Sequence, residues 1–311
     1  MNKKNKICAF APATIANLNV GFDVLGLALS SIGDKVEITP NGLTHNRITQ
    51  IDNHSSLPTD VNKNSCTVVI QKMQEQLGKA IYVDVKIKKG FASGSGLGSS
   101  SASSAAAAFA YNALIDNHFT REELLPFAAE GERAACGSAH YDNVSPALLG
   151  GLILLHNGAP VRLPIPEGWH TVSFFPDIEV NTSSSRSIVA KHASLDVISK
   201  QVSSMGAFIA GLYNNDLQLI RQACKDFLVE PFRKILIPYF DEMRQASMDL
   251  GGITFGISGS GPSVFAIAPN KETAEKIQSE FNVIYAGKGI ETLSFIEDLQ
   301  KGKGTFLCDE Y

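Results

Sequence analysis

Three glycines at alternate positions, followed at once by serine and then alanine, constrain this chain more than any other segment. The stretch reads Gly94-Ser95-Gly96-Leu97-Gly98-Ser99-Ser100-Ser101. Glycines leave backbone amides uncovered and reach φ values that other residues avoid. Residues 100–115 (SSASSAAAAFAYNALI) hold no breaker and are rich in alanine, which predicts a helix whose small side chains allow close packing. A helix starting there aims unpaired N–H groups and the positive end of its dipole into the loop. That is an anion site, suited above all to phosphate. The alternative is a flexible Gly/Ser connector in front of an alanine-rich helix. Spacing excludes other phosphate motifs, since no window supplies GxxxxGK with Ser or Thr, and the glycines give GxGxG rather than GxGxxG. Neither HExxH nor GxSxG occurs.

At 311 residues the chain has room for about two domains. Lys and Arg number 27 against 31 Asp and Glu, a net charge of −4, so no basic excess drives nucleic-acid binding through counterion release. The longest apolar run, 147–155, contains Gly150 and Gly151 and falls short of the ~18 residues a membrane span needs. Lys3, Lys4 and Lys6 are followed by Pro12, Thr14 and Asn17 rather than by the apolar core of a signal peptide. Cysteines stand alone at 8, 66, 136, 224 and 308; an odd count without CxxC spacing argues against a disulfide framework and a zinc site. A reduced, cytoplasmic protein is expected.

Residues 34–39 and 81–88 alternate apolar and polar, as half-buried strands do. Between them, residues 64–77 carry Val68, Val69, Met73 and Leu77 at helical spacing. Thr120 and Glu123 form a capping box for a third helix, whose regular start Pro126 should delay or kink. Strands are expected at 151–156, 171–175, 253–257 and 264–267, and helices near 197–213, 217–227 and 238–250. Residues 157–168, with three prolines and two glycines, are the best candidate boundary. Mixed strands and helices in both halves give an α+β class. The N-terminal Ala11–Asp23 segment is too polar for a core strand and too apolar for a solvated loop. A second glycine cluster, residues 256–263 (GISGSGPS), reads as a tight turn between two strands.

Taken in order, APATIAN…VGFD, GSGLGSSSA and GISGSGPS resemble the three motifs of the GHMP small-molecule kinases. Residues 140–144 (HYDNV), Asn181-Thr182 leading to Arg186, and residues 230–233 (EPFR) make the resemblance closest to the branch that phosphorylates homoserine. It spans residues 8 to about 270. It implies an N-terminal domain like the second domain of ribosomal protein S5 (1–165, with the phosphate loop at 92–102) and a ferredoxin-like C-terminal domain (166–311). It also implies ATP and Mg²⁺, transfer of the γ-phosphoryl group to the hydroxyl of L-homoserine on the route to threonine, a homodimer, and no nucleic-acid or membrane partner.

Carried over by position, Ala92, Ser93, Gly94, Ser95, Gly96, Leu97, Gly98, Ser99, Ser100, Ser101 and Ala102 wrap the triphosphate, with Ser100 nearest the metal and Asn64 at the adenosine end. Ala92 departs from the proline usual there, which removes stiffness but no donor. Lys89 either reaches phosphate oxygens or is the solvated end of a strand. Glu130 and Glu132 lie two apart, about 200° around a helix, so only one can face the metal; family position selects Glu132. Arg186 and Arg233 are offered to the substrate carboxylate, for which planar guanidinium groups are suited. Asp23 is offered to its ammonium, and Asn17 and Asn143 to its polar groups. His140 is a structural hydrogen-bonding residue or a site residue. Asn143 and Asn17 stand where other members carry an Asp base and a nearby Lys, so catalysis is expected without a strong protein base, by positioning and charge neutralisation.

Overall fold

The computed structural model of the chain describes residues 6–53, 57–178, 187–309 and 311. Two sheets organise it. The larger has seven strands: β1 (Ile7–Ala16), β2 (Leu25–Pro40), β3 (Arg47–Asp52), β4 (Val83–Lys88), β5 (Leu152–His156), β6 (Ala159–Leu163) and β11 (Phe306–Cys308). Its order runs β11-β1-β2-β4-β3, with β5 paired to the first residues of β2 (25–27) and β6 beyond it. The smaller is antiparallel, built from β7 (His170–Pro176), β8 (Thr254–Ile257), β9 (Val264–Ala268) and β10 (Thr292–Asp298) in the order β10-β7-β9-β8. That order is the ferredoxin-like one.

Helices α1 (Ser65–Leu77), α2 (Ser99–Leu114), α3 (Leu125–Cys136) and α4 (Tyr141–Leu149) cover the larger sheet. Helix α2 lies at the centre, packed on β1 and β2 and flanked by α1, α3 and α4, which its alanines and serines permit. Asn64 caps α1 through its side chain. Thr120 and Glu123 exchange the hydrogen bonds of a capping box, and a short 3₁₀ turn precedes α3 so that Pro126 falls in its first turn, where no N–H is needed. The second half adds α5 (Leu195–Asn214), α6 (Leu217–Ala223), α7 (Glu230–Arg233), α8 (Phe240–Asp249) and α9 (Lys271–Ala286). Phe174, Phe255 and Phe281 interlock in its own core, with ring centroids 5.1 and 5.4 Å apart.

Among the differences from the sequence expectation, three bear on the site and the sheets around it. Residues 11–16, judged too polar for a core strand, belong to β1, which is buried almost throughout. Both its faces are covered, so no alternation marks it, and Pro12 sits at a register shift against β2 that absorbs its missing N–H. Residues 141–149, for which no helix was expected, form α4 around Pro146. Residues 157–168 hold the turn and second strand of the β5–β6 hairpin and then most of the connection to β7, and β11 returns to the first sheet beside β1. Residue 165 lies between β6 and β7, and β11 belongs to the larger sheet although it follows the smaller one in the chain.

Candidate active site

A cleft of about 480 Å³ opens where the two glycine clusters meet. Its floor is the 94–98 loop. Gly94, Gly96 and Gly98 all take positive φ (78°, 82° and 70°), and α2 begins at Ser99 with Gly98 as its cap. The loop is fastened from the other half of the chain: Ser258 Oγ donates to Gly96 O (2.8 Å), and Ser263 N donates to Ser95 O (3.1 Å). A Cβ on Gly96 would lie 2.6 Å from Ser258 O and 2.8 Å from Gly261 O. On Gly98 it would run into Thr14 Oγ1 and Asn143 Oδ1. The 256–263 turn joins β8 to β9 as expected, but it is also a wall of the cleft, through Gly259 and Ser260.

Of the loop residues, Ser93, Gly94, Gly96, Gly98, Ser99 and Ser100 line the cleft. Ala92, Ser95, Leu97, Ser101 and Ala102 do not. Leu97 is buried in the core, Ser95 receives Leu97 N (3.3 Å), and Ser101 Oγ donates to Glu132 Oε2 (2.8 Å). Over 94–98 the pattern alternates, with the three glycines at the cleft and Ser95 and Leu97 turned inward to hold the shape of the loop.

Lys89 is not the solvated end of a strand; it borders the cleft, with its ammonium turned toward protein partners. It is 2% exposed; its ammonium pairs with the buried Asp34 and donates to Ser99 O and Ser103 Oγ, both at 2.9 Å. Its three protons are thus committed to fixing the start of α2, and Asp34 is the partner sequence reasoning missed. Asn64 is likewise committed: it accepts from Cys66 N (3.0 Å) and donates to Pro58 O (2.9 Å), shaping the rim formed by Leu57 and Pro58.

Glu132 is 3% exposed and borders the cleft, whereas Glu130 pairs with Arg133 on the outer surface. Glu132 accepts from Ser101 and meets His140 Nδ1 at 2.9 Å; the other ring nitrogen of His140 meets Ser138 Oγ at 3.0 Å. The carboxylate retains lone pairs, and with the Ser100 hydroxyl it offers hard oxygen donors of the kind Mg²⁺ takes alongside phosphate and water. Among the described residues no group of three His, Cys, Asp or Glu is gathered to hold a metal ion by itself.

At the far end, Asn17 receives Asp23 N (3.0 Å) and donates to Gly259 O (3.1 Å). Arg233, 3% exposed, donates to the same carbonyl (2.9 Å) and stacks over Phe22 at 5.4 Å. Asn143 accepts from Thr14 Oγ1 (2.8 Å). The cleft gathers Asn17, Asp23, His140, Asn143 and Arg233; Arg186, with Asn181 and Thr182, lies outside the described residues. Sequence reasoning missed Asp142. It borders the cleft at 4% exposure, and burial, then the Asp23 charge, push its carboxyl up to about 7. The only signal was its place beside His140 and Asn143.

An anion-binding loop, hard oxygen donors and a polar far end in one cleft define a small-molecule phosphotransferase. Comparison with known proteins agrees: the pattern of the GHMP kinases N terminal domain matches residues 64–151, and that of the GHMP kinases C terminal matches residues 208–285. The chain belongs to the GHMP kinase family. It is 40% identical over 282 residues to the homoserine kinase of Chlorobium phaeobacteroides (strain DSM 266 / SMG 266 / 2430), covering 86% of this chain and 88% of that one. The crystal structure of homoserine kinase from Cytophaga hutchinsonii ATCC 33406 superposes with a TM-score of 0.95 at 37% identity, over 99% of both chains. L. major mevalonate kinase, 16% identical with a TM-score of 0.67 over 93% of this chain and 95% of that one, shares the fold alone.

Proposed function

We propose that the chain transfers the γ-phosphoryl group of ATP to the side-chain hydroxyl of L-homoserine, giving ADP and O-phospho-L-homoserine. The observation that carries this reading is one cleft with a phosphate-shaped loop at one end and Arg233, Asp23 and Asp142 at the other. An amino acid presents a carboxylate and an ammonium together, and those side chains answer both. Identity of 40% to a homoserine kinase over most of the chain supports the same substrate.

In this reading the amides of 94–100 cradle the triphosphate, and Leu57, Pro58 and Asn64 border the adenosine. Glu132 and Ser100 hold Mg²⁺, which when bound neutralises charge on the phosphates. Asn143, oriented by Thr14, positions the attacking hydroxyl; an amide takes no proton, so the proton leaves with a phosphate oxygen. Asp23 and Asp142 hold the ammonium and keep the hydroxyl in line. Lys89 positions rather than reacts. The division near residue 165, a homodimer, and work in the cytoplasm without nucleic acid or membrane belong to the same reading, on the family resemblance.

The test is ADP release with homoserine, with mevalonate, and with an amino alcohol lacking the carboxylate. Homoserine should be turned over well and the other two poorly. Arg233→Leu should weaken homoserine by about 10- to 150-fold, the scale of a charge-assisted hydrogen bond, and change little on the amino alcohol. Equal losses on both would mean that Arg233 serves only to hold Gly259, and preference for mevalonate would overturn the substrate.

A further inference from the structure

Cys8 and Cys308 are 300 residues apart in sequence, yet the β1–β11 register sets them directly opposite, with sulfurs 2.8 Å apart. Both thiols are reduced. Their juxtaposition does not depend on the sulfur contact. Two residues along, Phe10 opposes Phe306 on the same face, ring centroids 5.1 Å apart. Just ahead of β11, Thr305 donates from its N to Leu148 O (3.3 Å) and from its Oγ1 to Ala147 O (2.9 Å). Gly150 and Gly304 approach so closely there that neither has room for a Cβ. A one-residue slip of β11 would break each of these and turn Cys308 to the other face.

We propose that Cys8 and Cys308 are a redox modification site, converted by a small disulfide of the glutathione type into an intramolecular disulfide that staples the C-terminal strand to β1. Cys308 is half-buried and Cys8 is buried, so the small disulfide meets Cys308 first. The Cys308 thiolate attacks one sulfur of the reagent, forming a mixed disulfide and releasing one small thiol, which takes up the proton that Cys308 gave. The Cys8 thiolate then attacks the Cys308 sulfur, and the second small thiol leaves with the proton from Cys8. Two protein thiols are oxidised and one small disulfide is reduced to two thiols. Burial, then the Cys308 neighbour, push the Cys8 thiol up to about 12; Glu37 adds to this and Lys35 opposes it. The second step is therefore the slow one, and the mixed disulfide on Cys308 is its visible precursor.

The test treats the full chain with glutathione buffers of rising oxidised fraction, quenches with acid, alkylates the remaining thiols and maps them by mass spectrometry. Two alkylations should disappear together, at Cys8 and Cys308, without crosslinked dimer on a non-reducing gel. The Cys8→Ser protein should accumulate a glutathione adduct at Cys308, and Cys308→Ser should keep Cys8 alkylatable. Oxidised wild type should melt a few degrees above reduced wild type, the scale for a long-loop crosslink in a chain this size, and Cys308→Ser should show no such rise. Five alkylatable thiols under conditions that oxidise a free thiol control would overturn the proposal. So would a disulfide that uses Cys66, Cys136 or Cys224, or one that joins two chains.

Discussion

Asp142 begins α4 with its carboxyl walled in by protein, and the charges around it do not cancel. Burial raises it first and Asp23 next; His140 works against them and Glu132 with them, for a result of about 7. An unfolded carboxyl gives up its proton near pH 4. Between about pH 4 and 7 the folded chain therefore holds a proton that the unfolded chain has lost, and unfolding becomes easier as pH rises through that window, then levels off. Asn mimics the protonated form without the charge. Asp142→Asn should accordingly gain stability on the wild type at pH 8 relative to pH 4.5, read as the difference in urea midpoint, while its homoserine KM rises more than its ATP KM. A difference that does not change with pH would show that Asp142 is not held protonated. Its neighbour Asn143 was legible in sequence through the family motif. Asp142 was not, because its role comes from burial beside Asp23, 119 positions earlier in a chain whose order hides the contact.

Elements such as α1, α2 and the capped start of α3 were readable because their signals are local: an Asn cap, an alanine run, a Thr–Glu box. Strand β1 and helix α4 were not, since each contains a proline that tertiary packing accommodates, at a register shift in one and inside the helix in the other. The phosphate loop was legible as a motif but not as half of a pair. Its shape depends on the 256–263 turn, which accepts no bulk on Gly96 and supplies Ser258 and Ser263 to it. Gly96→Val should lose nucleotide binding by at least ~10-fold and also lower the melting midpoint, because a loop-to-loop contact breaks. A Cβ on Gly94 meets no protein atom, so Gly94→Ala should keep the contact between the two loops and cost roughly 1–2 kcal/mol of strain at its positive φ in chemical denaturation. Calorimetric titration with ATP separates the two: equal affinities would mean that the paired loops do not shape the phosphate site.

Over the whole molecule, the two sheets are joined by a contact that neither half of the sequence announces. Glu297, on β10 of the smaller sheet and 2% exposed, accepts hydrogen bonds from Ser30 N and Oγ, Ser31 N and Oγ, and Ile32 N in the middle of β2. Nearby, Leu299 N donates to Trp169 O (3.0 Å). Glu297→Ala would strand the buried Ile32 amide and the part-buried amides of Ser30 and Ser31, and should destabilise the chain by about 3 kcal/mol in urea, followed by the fluorescence of Trp169, the single tryptophan. A change below ~1 kcal/mol would mean that water replaces the carboxylate at no cost. Local chemistry determined much of this protein from sequence alone: an α+β chain with a glycine-rich loop on a helix start, and motifs for a GHMP kinase, because glycine conformation, capping and hydrophobic period act within a few residues. Only the tertiary structure decided that Lys89 is buried against Asp34 at the start of α2, that Asp142 faces the cleft, that β11 returns to lay Cys308 against Cys8, and that Glu297 joins the sheets. Each of those depends on burial and on partners from 10 to 300 residues away, and charge and desolvation act through space that the order of residues does not record.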